Sequence, residues 1–169
     1  MRSRPVLKPA LAAIAIAAAA SAPHGAMAQE AGIEGRRIAE TIFATVDNAG
    51  AGQVHMGDIE RFRRSVLAGM DSDGNGQVPY AEFSAWDPGV ARVAEELGRS
   101  EAYTTASKID FSIWDLDGDG NLNNREMRNA MARDFRRADL DDDGFLDKAA
   151  FIGGFTILVA MRAAIRPDL

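Results

Sequence analysis

A pattern of oxygen-bearing side chains that recurs four times, with first residues at 47, 71, 115 and 139, constrains this chain more than any other feature. Its fullest copy is Asp115-Leu116-Asp117-Gly118-Asp119-Gly120-Asn121-Leu122-Asn123-Asn124-Arg125-Glu126, with oxygen-bearing side chains at positions 1, 3, 5, 9 and 12. A hard divalent cation takes roughly six to eight oxygens, and a twelve-residue loop supplies them when a glycine at position 6 turns the chain sharply and a glutamate at position 12 offers both its oxygens. Gly120 and Glu126 fill those places, and a second complete copy runs from Asp71 to Glu82 with Gly76 and Glu82. The copy at 139–150 keeps Asp139, Asp141, Asp143, Gly144 and Asp147 but has Ala150 at position 12. In the copy at 47–58, Ala49 and Ala51 replace ligands and a shorter Asp58 ends the loop.

The two complete copies fit the pattern D-x-[DN]-x-[DN]-G-x5-E, and on these residues the chain resembles the EF-hand calcium-binding superfamily, of which calmodulin is the familiar member. The resemblance implies an all-α bundle of four helix–loop–helix hands, two complete and two degenerate. It also implies roles for particular residues. Asp71, Asp73, Asn75 and Glu82 would coordinate calcium with their side chains and Gln77 with its carbonyl. In the third loop Asp115, Asp117, Asp119 and Glu126 would do so with the carbonyl of Asn121, while Asn123 holds a bridging water. About two calcium ions are expected, with Asp139, Asp141, Asp143 and Asp147 forming a weak or vestigial site.

The flanks carry the same period. Four places before each loop stand Phe43, Leu67, Phe111 and Phe135, and just after each stand Ile59, Phe83, Met127 and Phe151, as expected of helices turning apolar side chains to a core. The loop starts are separated by 24, 44 and 24 positions. Only the twelve residues 59–70 separate loops one and two, and 127–138 separate loops three and four, so a single helix must serve two loops. Such a helix holds its loops about 18 Å apart at 1.5 Å per residue. Neighbouring loops therefore cannot meet; loop two should pair with loop three through Val78 and Leu122, and loop one with loop four through Val54 and Leu146. Gly69 is where the first shared helix is weakest. The spacing is similar to that of the lanmodulin type, periplasmic and lanthanide-selecting, and to that of a broad group of exported bacterial EF-hand proteins; unlike the lanmodulin type, this chain has no proline at position 2, where Asn48, Ser72, Leu116 and Leu140 stand, and its middle linker is long.

Arg2, Arg4 and Lys8, the apolar run Ala10–Ala20 and Ala26-Met27-Ala28 read as a secretory signal peptide over 1–28, leaving an EF-hand domain over 29–169 in the periplasm or secreted. Removing three positive charges and no acidic ones takes the net charge from -6 to -9, which argues against nucleic acid or anionic membrane as partners. With no cysteine, disulfides and thiolate zinc sites are excluded.

In the long linker, Asp87-Pro88-Gly89 breaks the chain ahead of two helices, Val90–Leu97 and Glu101–Trp114. The apolar stretch Phe151–Ile165 reads as one core helix, too short and too glycine-broken to span a membrane after the signal is removed. His55 is the single histidine left after residue 28, and no nucleophile-elbow, zincin or phosphate-loop motif occurs, so neither an enzyme nor a catalytic or cofactor-binding residue is expected. The methionines Met56, Met70, Met127, Met131 and Met161 read as core, with an adaptable groove for a protein partner, exposed by calcium, as the alternative.

Overall fold

The computed structural model describes residues 24–166, with side chains from residue 32 onward. Eight helices and four three-residue strands follow in order: α1 (His24–Val46), β1 (Gln53–His55), α2 (Met56–Met70), β2 (Gln77–Pro79), α3 (Tyr80–Ala85), α4 (Val90–Glu96), α5 (Ser100–Trp114), β3 (Asn121–Asn123), α6 (Asn124–Ala138), β4 (Phe145–Asp147), α7 (Lys148–Gly154) and α8 (Thr156–Ile165). The described chain is thus mostly helical, with two small antiparallel sheets. Of the expected signal peptide, residues 1–23 lie outside the described residues, and 24–28 belong to the backbone of α1.

The strands pair as the loop spacing requires. β1 lies against β4 with Val54 opposite Leu146, and β2 against β3 with Val78 opposite Leu122. These four side chains are all 0% exposed, so each sheet is a plug of apolar contact as well as a ladder of backbone bonds. Single uninterrupted helices, α2 and α6, separate the members of each sequence-adjacent pair of loops. Gly69 lies within α2 near its end, where a methyl group would just touch the Trp86 ring, and does not break the helix.

The main core gathers the flanking residues that the sequence singles out. Phe43, Phe111 and Phe135 are buried before their loops, Leu67 packs at the margin, and Ile59, Phe83, Met127 and Phe151 are buried after theirs. Met70, Met127, Met131 and Met161 are core residues as well. The buried stripe of α2 is not wholly apolar, however. It runs Ile59, Arg63, Val66, Met70, and the Arg63 guanidinium is satisfied on three sides, donating to both oxygens of Glu60 at 2.9 and 2.7 Å and to Asn124 Oδ1 at 2.5 Å. That last bond ties α2 to the first residue of α6.

A second cluster joins α4, α5 and α8 around Val93, Ala94, Tyr103, Met161 and Ile165. Asp87 fixes the start of α4 by accepting from the Val90 and Ala91 N–H groups and from the Tyr103 hydroxyl. Arg99 donates to the carbonyls of Ala164 and Arg166, closing the last turn of α8, where carbonyls lack intrahelical partners.

The expectation of one helix over Phe151–Ile165 is corrected. α7 and α8 meet at Phe155 at an angle of 75°. Two contacts with α6 force the bend. Gly154 sits so close to Ala138 that a methyl group there would overlap the alanine side chain. One residue beyond Phe155, Thr156 presents its N–H and hydroxyl to the buried carboxylate of Asp134, both at 2.9 Å, which replaces the bonds a continuous helix would make. No single described helix is long and apolar enough to cross a membrane.

Candidate metal centres

All four loops are built on the same backbone scaffold. The aspartate at position 1 accepts from N–H groups at positions 5 and 6, which Asp47, Asp71, Asp115 and Asp139 all do at 2.8 to 3.2 Å. Such bonds satisfy donors that a tight loop would otherwise leave unpaired. Position 6 is glycine at a φ of 77 to 84° in every loop, a left-handed backbone that only glycine adopts without cost. Position 4 is left-handed too, at Gly50, Gly74 and Gly118, and in loop four at Asp142 with φ 57°. Glycine at position 4 in three of the four copies is the sequence signal for this second left-handed turn. The side chain at position 5 braces the loop by accepting from the N–H at position 7, as Asn75, Asp119 and Asp143 do at 2.7 to 2.8 Å.

On this scaffold the side chains of loops two and three converge. Carboxylate oxygens of Asp71, Asp73 and Glu82 lie within 4.8 Å of one another, and so do those of Asp115, Asp117 and Glu126. Mutual repulsion makes such a cluster costly unless a cation sits among the oxygens. The position-12 glutamates are held inward by backbone. Glu82 Oε1 accepts from the Ser72 N–H at 3.0 Å and from its hydroxyl. Glu126 accepts from Leu116 and Asp117 through Oε1 and from Asn123 through Oε2, and it is fully buried. Glu82 Oε2 is buried with no hydrogen-bond partner. An orphaned carboxylate oxygen facing two aspartates is what a hard divalent cation would satisfy, so these residues fit such an ion.

Among the remaining expected site residues, Asn75 bridges within loop two, donating from Nδ2 to Asp73 at 2.8 Å. Gln77 and Asn121 stand on β2 and β3, facing Asn123 and Pro79 across the sheet. Asn123, expected to hold a bridging water, caps a helix with its oxygen. Oδ1 accepts from the Arg125 and Glu126 N–H groups, capping α6, while Glu126 returns a bond to the Asn123 N–H. This reciprocal cap makes the first turn of α6 part of the site. Pro79, its counterpart in loop two, caps nothing.

Loops one and four differ in kind. Oxygens of Asp139, Asp141 and Asp143 also come within 4.8 Å of one another, while Asp147 turns away to cap α7 through the Ala150 N–H at 2.7 Å. In loop one Asp58 is engaged elsewhere, in a reciprocal cap with His55 and an ion pair with Arg61. Although burial pushes the Asp58 carboxyl up, its bonds with the His55 backbone and Arg61 hold it below the ordinary range. The His55 ring stacks on Phe145 across the β1–β4 sheet. Loop one is thus held by internal bonds, and among the described residues no acidic cluster forms in it.

Comparison with known proteins gives a limited likeness in the same direction. The chain is 27% identical, over a stretch of 110 residues, to the calcium-binding protein LPS1-alpha of Lytechinus pictus, a match covering 57% of this chain and 34% of that protein. The chain thus spans about a third of the length of the relative it matches. No model of a protein family and no solved structure matches it.

Proposed function

We propose that this is an EF-hand protein that binds calcium in loops two and three, with Asp71, Asp73, Asn75, Gln77 and Glu82 in one site and Asp115, Asp117, Asp119, Asn121 and Glu126 in the other. The observation that carries this reading is the convergence of two carboxylate clusters on loops joined directly by the β2–β3 sheet. The likeness to a calcium-binding protein supports the choice of ion. Shared helices with loop two paired to loop three also suit the lanmodulin-type resemblance, which keeps a lanthanide as the second reading. Calorimetric titration with calcium, magnesium and a trivalent lanthanide tests both. Two calcium ions per chain are expected; no heat with calcium at millimolar concentration would defeat the first reading, and lanthanide binding that calcium cannot displace would favour the second.

We further read the chain as an exported protein without catalytic activity, acting as a calcium-responsive module or a calcium buffer, with a calcium-stabilised structural or interaction protein as the alternative. A responsive module would open the apolar interior, where Phe62, Met70, Trp86, Trp114, Met131 and Phe155 are among the residues around a cavity of about 40 Å³, toward a protein partner. Binding of an apolar dye that rises with calcium supports the module, and binding unchanged by calcium supports the buffer. Export is tested by the N-terminus of the cell-derived protein, expected at Gln29.

A further inference from the structure

The interface between α5 and α6, the helices that lead the chain into loop three and out of it, holds a carboxyl group that no bond explains. Asp110 is 0% exposed, and neither of its side-chain oxygens has a hydrogen-bond partner. Asp134 of α6, equally buried, is satisfied by Thr156 and lies 3.3 Å from Arg137. A buried carboxylate that is ionised and receives no donor is among the costliest groups a core can hold.

Among the described residues, none pairs a countercharge with it. The elements packed against α5 are α3, α4, α6 and α8. On α3, Glu82 serves loop two and the Tyr80 hydroxyl reaches only Ser107, at 3.5 Å. On α4, Arg92 pairs with Glu96 and Glu95 is exposed. On α6, Glu126 belongs to loop three, Arg125 and Arg128 pair with Asp117 and Glu60, Arg136 is exposed, and one nitrogen of Arg133 is itself buried without a partner. On α8, Arg162 donates to the Ile152 carbonyl. On α5 itself, Tyr103 bonds Asp87, and Glu101 and Lys108 are exposed. Burial, reinforced by the charge of Asp134, pushes the Asp110 carboxyl up to about 7.

We propose that the α5–α6 interface is a proton-binding site, in which Asp110 is folded in as the neutral acid and its ionisation beside Asp134 loosens the joint between the two helices flanking loop three. Asp134 also holds Thr156, so the disturbance reaches the bend between α7 and α8. The inference stands apart from calcium binding, because it concerns a proton on a side chain outside both loops.

The sign of the effect follows from proton counting. An unfolded aspartate titrates at about 3.9, so between there and about 7 the folded chain holds a proton that the unfolded chain has lost. Stability therefore falls as pH rises through that window and levels off above it. The experiment is thermal unfolding of the full chain, wild type and Asp110→Asn, from about pH 5 to pH 9, once with saturating calcium and once with excess chelator. The wild-type Tm is expected to fall up to neutral pH and then level, and Asp110→Asn to flatten that fall in both series. An equal slope in the two proteins overturns the proposal. If Asp110→Asn does not fold, carbon-13 NMR of the wild-type Asp110 carboxyl decides: a midpoint close to 7 supports the proposal and one below about 5 overturns it. Failure of the calcium reading would show separately, as identical Tm values with calcium and with chelator.

Discussion

Glu82 and Glu126 each brace a loop through backbone N–H groups, and in the proposed sites each would also offer oxygens to an ion. The two sites differ in charge. Loop three presents Asp115, Asp117, Asp119 and Glu126, whereas loop two has Asn75 in place of a fourth carboxylate, and affinity rises with charge count and rigidity. Loop three also has the Asn123 cap that Pro79 denies to loop two. Glu126→Gln should therefore weaken the tighter calcium site more than Glu82→Gln does; calorimetry of both variants checks the ranking. Arg63 carries a prediction of its own. Replacing it with Ala removes its hydrogen bonds to Asn124 and to Glu60, whose carboxyl the bond with Arg63 holds below the ordinary range despite opposing burial, while Glu60 keeps its pair with Arg128. The cost should be about 1 to 3 kcal/mol, measurable by urea unfolding at constant calcium. The acidic residues that converge in loops two, three and four were legible in the sequence because each sits at a fixed offset from a glycine. Arg63, Asp110 and Asp134 were not, since charged residues on a helix ordinarily face water. The signal was there in phase: Arg63 falls in step with Ile59, Val66 and Met70, and Asp134 in step with Met127, Met131 and Ala138.

At the level of elements, simple counting went far. Twelve residues are one helix, one helix separates its ends, and the pairings β1–β4 and β2–β3 follow without any knowledge of side chains. The glycines at 153 and 154 mark a weak point in Phe151–Ile165, but the bend between α7 and α8 escaped because its causes lie on α6: Ala138, against which Gly154 packs, and Asp134, 22 residues before Thr156. The neighbouring glycines separate the causes. Gly154→Ala forces a methyl against Ala138 and should destabilise by about 1 to 3 kcal/mol. Gly153→Ala meets nothing within 4 Å and should be neutral or stabilising by up to about 1 kcal/mol. Thermal unfolding of the pair checks both. In loop four, Asp139, Asp141 and Asp143 already converge and position 12 alone lacks its ligand. Ala150→Glu should raise the calcium count by one, as read by calorimetry.

For the whole molecule, charge and topology set the terms. Acidic loops lie at both ends of the shared helices, and the chain carries a net charge of -6. Without a cation the clustered carboxylates oppose folding, and a ligand bound only by the folded state adds about 2.7 kcal/mol at one hundred times its dissociation constant. Chelator should lower the Tm, and calcium restore it in proportion to the logarithm of its concentration. The topology reaches further. Each small sheet takes one strand from before the Asp87-Pro88-Gly89 break and one from after it, and each half holds one of the two complete loops. Neither half can complete a sheet by itself, while together they complete two. A chain nicked at the break should therefore stay associated, and the two pieces made separately should be poorly structured alone yet reassemble one to one on mixing, with calcium tightening the reunion. Circular dichroism of each piece and of the mixture would show it. A molecule whose halves complete each other's sheets would, with an ion in each complete loop, work as a split reporter whose joining that ion governs.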